Sequence, residues 1–107
     1  MPSFREARQE LEAEYRRRTP KSAALFAQAL QVLPGGDTRT TTYFSPYPSF
    51  IEHAAGARLY DVDGNELLDC LNNYTALIHG HAFPPVVEAA RRQLERGTAW
   101  AAPNEHA

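Results

Sequence analysis

Apolar residues recur at helical spacing near the start of the chain, where the pattern predicts a first helix over residues 4–18. Ser3 followed by Glu6 is a capping-box pattern for its first turn. The pair Thr19-Pro20 should end the helix, because a residue before proline avoids the α region. The apolar positions of this helix share one face: Phe4, Ala7, Leu11 and Tyr15.

The same spacing predicts two further helices. Ser22 is the expected cap of the second, which should run to about Val32 and stop at Pro34-Gly35-Gly36. The third should begin at Pro84-Pro85 and end at Gly97, because proline suits the first helical position and glycine the residue after the last. Its expected buried face consists of Val86, Val87, Ala90 and Leu94.

Between the second and third helices, residues 50–69 alternate short apolar runs with turn residues, which predicts three antiparallel strands. Asp63-Gly64 separates the last two runs, and Asp-Gly between apolar runs is a strong hairpin signal. The expected strands contain Phe50-Ile51, Leu59-Tyr60 and Leu67-Leu68, with a first turn at Ala55-Gly56. With helices on both sides in sequence, we expect one face of this sheet to be covered and the other to be open.

Composition narrows the class of protein. The 107 residues are 43% hydrophobic and 22% charged with a net charge of -2, as expected of one globular domain at most. Neither nucleic acid nor a membrane is an expected partner, because there is no basic surplus and no long apolar run. The polar first residues and the single cysteine, Cys70, favour the cytoplasm, and we expect Cys70 to be a buried structural thiol.

Residues 37–48 are rich in threonine and aromatic side chains and have no helical or strand period. They predict a loop, and Arg39 lies within it. Its guanidinium would suit bidentate binding of a carboxylate, but exposed arginines are also common in loops. From the residues alone, both readings stay open.

Residues 71–81 have an apolar middle, which predicts a buried connecting segment. His79 and His81 lie close enough in sequence to reach one ion, but no other cysteine or histidine cluster completes a ligand set. A metal site is therefore not expected.

The order of these motifs resembles the N-terminal part of class III pyridoxal-phosphate aminotransferases, which include glutamate-1-semialdehyde aminomutase and the β-amino-acid transaminases. The resemblance begins at about Ser22 and extends over nearly all of the chain after it. The motifs that carry it are Leu25-Phe26, Pro34-Gly35-Gly36, Gly56 to Glu66, Gly80 to Pro84, and Gly97-Thr98.

The resemblance implies an α/β architecture, the fold type I of pyridoxal-phosphate transferases, working as a homodimer. Residues 1–21 would be an N-terminal helix, and residues 22–83 the N-terminal part of the small domain with its meander. Residues 84–107 would be the truncated start of the large cofactor domain, including the helix that crosses into it. Pro103-Asn104-Glu105 looks like the entry to another helix, so we expect the chain to be truncated.

The resemblance also implies site residues. Arg39 matches the arginine that binds the substrate carboxylate in β-amino-acid transaminases, and Tyr74 matches an aromatic residue of the substrate pocket. Thr98 resembles the segment near the phosphate of pyridoxal 5'-phosphate. The cofactor needs a lysine to hold its aldehyde, and the only lysine, Lys21, lies outside the matching motifs. No catalytic residue is therefore expected in this chain, which should be inactive alone.

Three functions remain open at this stage. The run Asp37-Thr38-Arg39 resembles the transaminase branch of the family more than the aminomutase branch. The resemblance therefore implies a transaminase acting on a carboxylate-bearing amino acid and a keto or aldehyde acceptor. A glutamate-1-semialdehyde aminomutase is the alternative within the family. A non-catalytic α+β interaction module is the alternative from another class.

Overall fold

Helices lie at both ends of the chain and a small sheet lies between them in the computed structural model, which describes residues 1, 3–103 and 105, and of Thr40 the backbone alone. The elements are α1 (Phe4–Arg18), α2 (Pro20–Val32), β1 (Ile51–Ala55), β2 (Arg58–Asp61), β3 (Glu66–Leu68) and α3 (Pro84–Arg96), with 3-10 turns at Pro34–Gly36 and Thr40–Thr42. The predicted order of helices and strands is confirmed. Asn104, in the predicted helix entry at Pro103-Asn104-Glu105, lies outside the described residues.

Helix α1 begins with the predicted capping box. The hydroxyl of Ser3 accepts the backbone N–H of Glu6 at 3.4 Å, and the carboxylate of Glu6 accepts the backbone N–H of Ser3 at 2.7 Å. The helix ends at Arg18, so the boundary expected at Thr19-Pro20 is confirmed. Within the described residues no helix is both long enough and apolar enough to cross a membrane.

Helix α2 begins earlier than predicted. Its N-cap is Thr19 and Pro20 is its first residue, so the prediction that Ser22 caps it was wrong. Ser22 lies instead in the first turn and is fully buried. Its hydroxyl and backbone N–H both donate to the carboxylate of Asp63, at 2.9 and 3.0 Å. The capping oxygen therefore comes from a distant hairpin and not from the helix itself.

The three strands form an antiparallel sheet in the order β1-β2-β3, as predicted. The turn between β2 and β3 is built around Asp61, whose side chain is almost fully buried. One oxygen of Asp61 accepts the backbone N–H of Asp63 at 3.0 Å and of Asn65 at 2.7 Å, and the other accepts the Asn65 amide at 2.8 Å. Gly64 takes φ 87° in this turn, which a β-carbon would strain.

The same turn joins the sheet to both helices. Asp63 accepts the backbone N–H of Lys21 at 2.6 Å, beside its bonds to Ser22, and so caps the start of α2. The amide of Asn65 donates to the carbonyl of Arg18 at 3.0 Å, at the last residue of α1. Helix ends carry backbone groups with no partner inside the helix. Side chains of one hairpin satisfy such groups at two adjoining helix ends.

The small core lies between α1, α2 and the segment that leads into the sheet. Tyr47 is its buried aromatic residue, with its ring centroid 5.2 Å from that of Tyr15 and 6.3 Å from that of Phe26. The hydroxyl of Tyr47 lies 3.1 Å from that of Thr19, so the polar tip of the ring has a partner.

Neither α1 nor α2 packs closely on the strands, which differs from the prediction that helices cover one face of the sheet. Among the described elements, no helix brings a Cα within 8 Å of a strand Cα. The helices attach through the β2–β3 turn and residues 47–50 instead, because the capping contacts hold them at the end of the strands.

Helix α3 lies apart from the other described helices and strands, with no Cα within 8 Å of theirs. Its predicted buried face is exposed, with Val86, Val87 and Leu94 exposed by 58, 42 and 67%. The radius of gyration is 18.5 Å, against about 13 Å for a compact domain of this length. The helix has the predicted apolar stripe, but no other described helix or strand packs on it.

Replacing Asp63 by alanine tests the cap. We expect Asp63→Ala to lower the free energy of unfolding by about 1 kcal/mol, because backbone N–H groups of α2 lose their acceptor. Urea denaturation followed by circular dichroism measures this. Glu66→Ala on the same hairpin is the matched control, since its contact to Arg58 is an exposed ion pair, for which we expect a change of about 0.5 kcal/mol or less.

The effect of Asp63→Ala should depend on pH. Desolvation alone would raise the pKa of Asp63, but the N–H groups of Ser22 and Lys21 and the Ser22 hydroxyl together lower it. Its stabilising contribution is therefore present above the ordinary aspartate pKa of about 3.9 and is lost as the pH falls through the lowered value. A difference between wild type and variant that persisted at low pH would contradict the capping role.

Candidate functional site

The loop that carries Arg39 is ordered by Asp37. Its carboxylate accepts the backbone N–H groups of Thr38 at 2.7 Å and Arg39 at 3.2 Å, and the hydroxyl of Thr42 at 2.8 Å. The Thr42 hydroxyl first, and then these N–H groups, hold the pKa of Asp37 below its usual range. The ionised carboxylate thus fixes the backbone on both sides of Arg39.

The Arg39 side chain itself is exposed and makes no hydrogen bond or ion pair with any described residue. A groove beside this loop is lined by Asp37, Thr38 and Thr42, by residues 48–51, and by Ala29, Leu33 and Gly36. The backbone at Arg39 is therefore held in place while its guanidinium stays free to bind an anion.

Tyr74 lies in an unusual left-handed turn. Asn72, Asn73, Tyr74 and Thr75 all have positive φ, at 52, 46, 56 and 68°. Left-handed backbone costs a non-glycine residue roughly 1–2 kcal/mol, although asparagine tolerates it better. Such strain persists only where surrounding contacts fix it, and it clusters at functional sites.

The left-handed turn brings Tyr74 to the Arg39 loop. The hydroxyl of Tyr74 donates to the carbonyl of Thr41 at 3.4 Å, two residues from Arg39. Tyr74 is 52% exposed, so much of its side chain remains accessible. Two of the residues predicted to bind substrate therefore lie on segments that are in contact.

A second pair of polar side chains lies at the start of the same turn. Nε2 of His81 is 2.6 Å from one oxygen of Asp69, and the other oxygen accepts the backbone N–H groups of Leu71 and Asn72 at 2.9 and 2.8 Å. The His81 hydrogen bond, followed by the Asn72 N–H, lowers the pKa of Asp69. In the sequence, His81 was considered as a metal ligand, which was not expected, and as part of the motif Gly80 to Pro84; the sequence gave no signal for Asp69.

The segment over residues 71–81 is more open than predicted. Leu71 and Ile78 are 57 and 83% exposed, and Cys70 is exposed, so the predictions of a buried segment and a buried thiol were wrong. Over the described residues, no three histidine, cysteine or acidic side chains are grouped to hold a metal ion.

The third predicted site residue lies elsewhere. Thr98 follows α3, is exposed, and has no hydrogen-bond partner among the described residues. The structure does not bring it together with Arg39 and Tyr74, since α3 lies apart from the sheet and the other helices.

The residues of this chain do not by themselves form a pyridoxal-phosphate site. The cofactor requires a lysine amine in a pocket. Lys21 is exposed in the first turn of α2, where its backbone N–H is bonded to Asp63. No step of the cofactor chemistry can therefore be assigned to these side chains.

Comparison with known proteins identifies the class. Residues 41–105 match the aminotransferase class-III family. The chain is 43% identical over 91 residues to a glutamate-1-semialdehyde 2,1-aminomutase of Thermodesulfovibrio yellowstonii, covering 82% of this chain and 21% of that protein.

Solved structures agree. An omega-transaminase from Sphaerobacter thermophilus superposes with a TM-score of 0.76 at 56% identity, over 79% of this chain and 19% of that one. A β-phenylalanine aminotransferase from Variovorax paradoxus superposes with a TM-score of 0.88 at 25% identity, over 95% of this chain and 24% of that one.

These likenesses define a part of the fold type I architecture of pyridoxal-phosphate-dependent transferases, as the motif order had implied. Within that class, the chain belongs to the class-III aminotransferase family. It spans about one fifth of the length of the relatives that it matches.

Substitutions at Asn73 test the left-handed turn. Asn73→Gly should keep or slightly raise the free energy of unfolding, whereas Asn73→Val should lower it by about 1–2 kcal/mol, because a β-branched residue at this φ is strained. Urea denaturation of the wild type and the two variants measures the order of their free energies of unfolding. Equal stability of the valine and glycine variants would contradict the left-handed turn.

Proposed function

We propose that this chain forms the substrate-binding side of a pyridoxal-phosphate-dependent class III transaminase. The reaction would transfer an amino group from a carboxylate-bearing amino acid to a keto or aldehyde acceptor. The contact between Tyr74 and the backbone of Thr41 carries the proposal. It brings an exposed aromatic residue beside the loop of an arginine whose side chain has no partner in the described part of the chain.

In this proposal Arg39 binds the substrate carboxylate. A guanidinium can donate two parallel hydrogen bonds to a carboxylate, which fixes its orientation as well as its position. Asp37 supports this role by ordering the loop backbone while leaving the guanidinium unpaired. Tyr74 would form the wall of the pocket along the apolar part of the substrate.

The rest of the site would come from outside these residues. A lysine that holds the cofactor aldehyde, an acidic partner for the pyridine ring and most of the phosphate site are needed, with Thr98 approaching the phosphate. The family supports pyridoxal 5'-phosphate as cofactor. Three points stay predictions. Light scattering can test the homodimer, crystallography the division of the chain at residues 21/22 and 83/84, and cell fractionation the cytoplasmic location.

The second candidate is the aminomutase reaction, which is favoured by the 43% identical relative of that name. The two functions differ in their use of an external acceptor, since a mutase returns the amino group to the same carbon skeleton. The family assignment supports an enzyme over a non-catalytic interaction module.

The proposal predicts where activity resides. We expect the protein encoded by the complete gene, supplied with pyridoxal 5'-phosphate, to transfer amino groups from β- or γ-amino acids to a keto acid, and the 107-residue chain alone to be inactive. Chromatographic detection of both products measures this. Conversion of glutamate 1-semialdehyde without consumption of a keto acid would favour the mutase, and no turnover of either kind would contradict an enzyme.

Replacing Arg39 tests the carboxylate site in that protein. We expect Arg39→Ala to raise KM for carboxylate-bearing amines by about 10- to 100-fold, because a charge-assisted pair of hydrogen bonds is lost. Steady-state kinetics should show a smaller rise for Arg39→Lys, which keeps the charge, and no change of KM for an amine without a carboxylate.

Arg5→Ala is the matched control for Arg39→Ala. Arg5 is an exposed arginine on α1 whose side chain also has no partner among the described residues. Its replacement should leave KM unchanged. If Arg39→Ala behaved like Arg5→Ala, Arg39 would have no place in the pocket.

A further inference from the structure

The backbone of His81 is fixed to the turn between β1 and β2. His81 and Gly56 exchange two backbone hydrogen bonds, each of 2.9 Å. Gly80 allows this approach, because a β-carbon there would lie 2.8 Å from the carbonyl oxygen of Gly56. The imidazole of His81 thus extends from a backbone that the sheet holds in place.

Asp69 connects this fixed imidazole to the left-handed turn. Its backbone N–H donates to the carbonyl of Ala57 at 2.9 Å, so Asp69 is also tied to the β1–β2 turn. One carboxylate oxygen contacts His81, and the other accepts the N–H groups of Leu71 and Asn72, where the left-handed turn begins. Both ends of the interaction are therefore anchored.

The imidazole of His81 is held in a contact that is largely shielded from solvent. Its Nε2 is already bonded to Asp69, and only 21% of the His81 side chain is exposed, with 8% for Asp69. The left-handed turn needs an external contact that offsets its backbone strain, and this contact between anchored groups can supply it.

We propose that Asp69 and His81 are positioning residues that hold the left-handed turn against the sheet and so keep Tyr74 beside the Arg39 loop. The role of Tyr74 in binding substrate rests on the proposed function. The contacts that hold the turn against the sheet do not rest on the proposed function, and they can be measured independently of activity.

Four variants of the protein encoded by the complete gene test this. His81→Ala removes the contact to Asp69, and His81→Gln restores a side-chain N–H at a similar reach. His79→Ala is the matched control, because His79 stacks on Phe83 at 4.5 Å and does not contact Asp69. Tyr74→Ala removes the ring that the turn presents.

Hydrogen–deuterium exchange followed by mass spectrometry reports on the turn itself. In His81→Ala we expect the amides of residues 70–76 to exchange about tenfold faster, because a hydrogen bond to a charged group is lost. His81→Gln and His79→Ala should exchange like wild type. Unchanged exchange in His81→Ala would overturn the proposal.

Kinetics then test whether the effect passes through Tyr74. His81→Ala should raise KM about tenfold with kcat little changed, and it should have no further effect in the Tyr74→Ala background. An equal effect of His81→Ala in both backgrounds would overturn the proposal. If exchange responds but neither Arg39→Ala nor Tyr74→Ala changes KM, the hold on the turn stands and the proposed function fails.

Discussion

The rest of this structure depends on one interaction: the carboxylate of Asp63 accepts backbone N–H groups at the start of α2. Helices of 15 and 13 residues meet at a single residue, Thr19, and the strands that follow are short. Little apolar surface is buried, since Tyr47 is the one buried hydrophobic side chain among the described residues. Hydrogen bonds from the β2–β3 turn therefore largely orient the helices relative to the sheet.

This arrangement explains how an exposed loop is kept in register. Helix α2 leads into a turn at Pro34–Gly36, where Gly36 packs so closely that a β-carbon would lie 2.7 Å from the Phe26 ring. The loop of Arg39 follows directly and is ordered by Asp37. Across from it, the Asp69 carboxylate fixes the turn that presents Tyr74. In the Arg39 loop and in the turn of Tyr74, an ionised aspartate accepts backbone N–H groups and so orders the backbone. The side chains of Arg39 and Tyr74 are not used for this and can contact a ligand.

Local patterns predicted much of the fold, because caps, helical periods and Asp-Gly turns are short-range signals. The capping box at Ser3 and Glu6 and the β2–β3 turn could be read directly. The cap of α2 could not, since its acceptor lies 42 residues away from Lys21 in sequence. Burial was misjudged at Val86 and Leu94 for a different reason. An apolar stripe shows that a helix face should be covered, but not that the covering residues belong to the same stretch of chain.

The candidate site was predictable in part. The composition of its loop pointed to Arg39, and the resemblance to the family pointed to Tyr74. The contact between their two segments depends on a run of residues with positive φ, which the conformational propensities of Tyr and Thr do not indicate. Asp69 was missed because its contact to His81 is made only when the β1–β2 turn meets residues 80–81.

The central claim is that Arg39 and Tyr74 together bind the carboxylate end of an amino substrate. A crystal structure of the protein encoded by the complete gene, with pyridoxal 5'-phosphate and an unreactive carboxylate analogue of the substrate, tests it most directly. We expect the carboxylate within about 3 Å of the Arg39 guanidinium and the Tyr74 ring against the analogue. A carboxylate held by other residues, with Arg39 directed into solvent, would contradict the account.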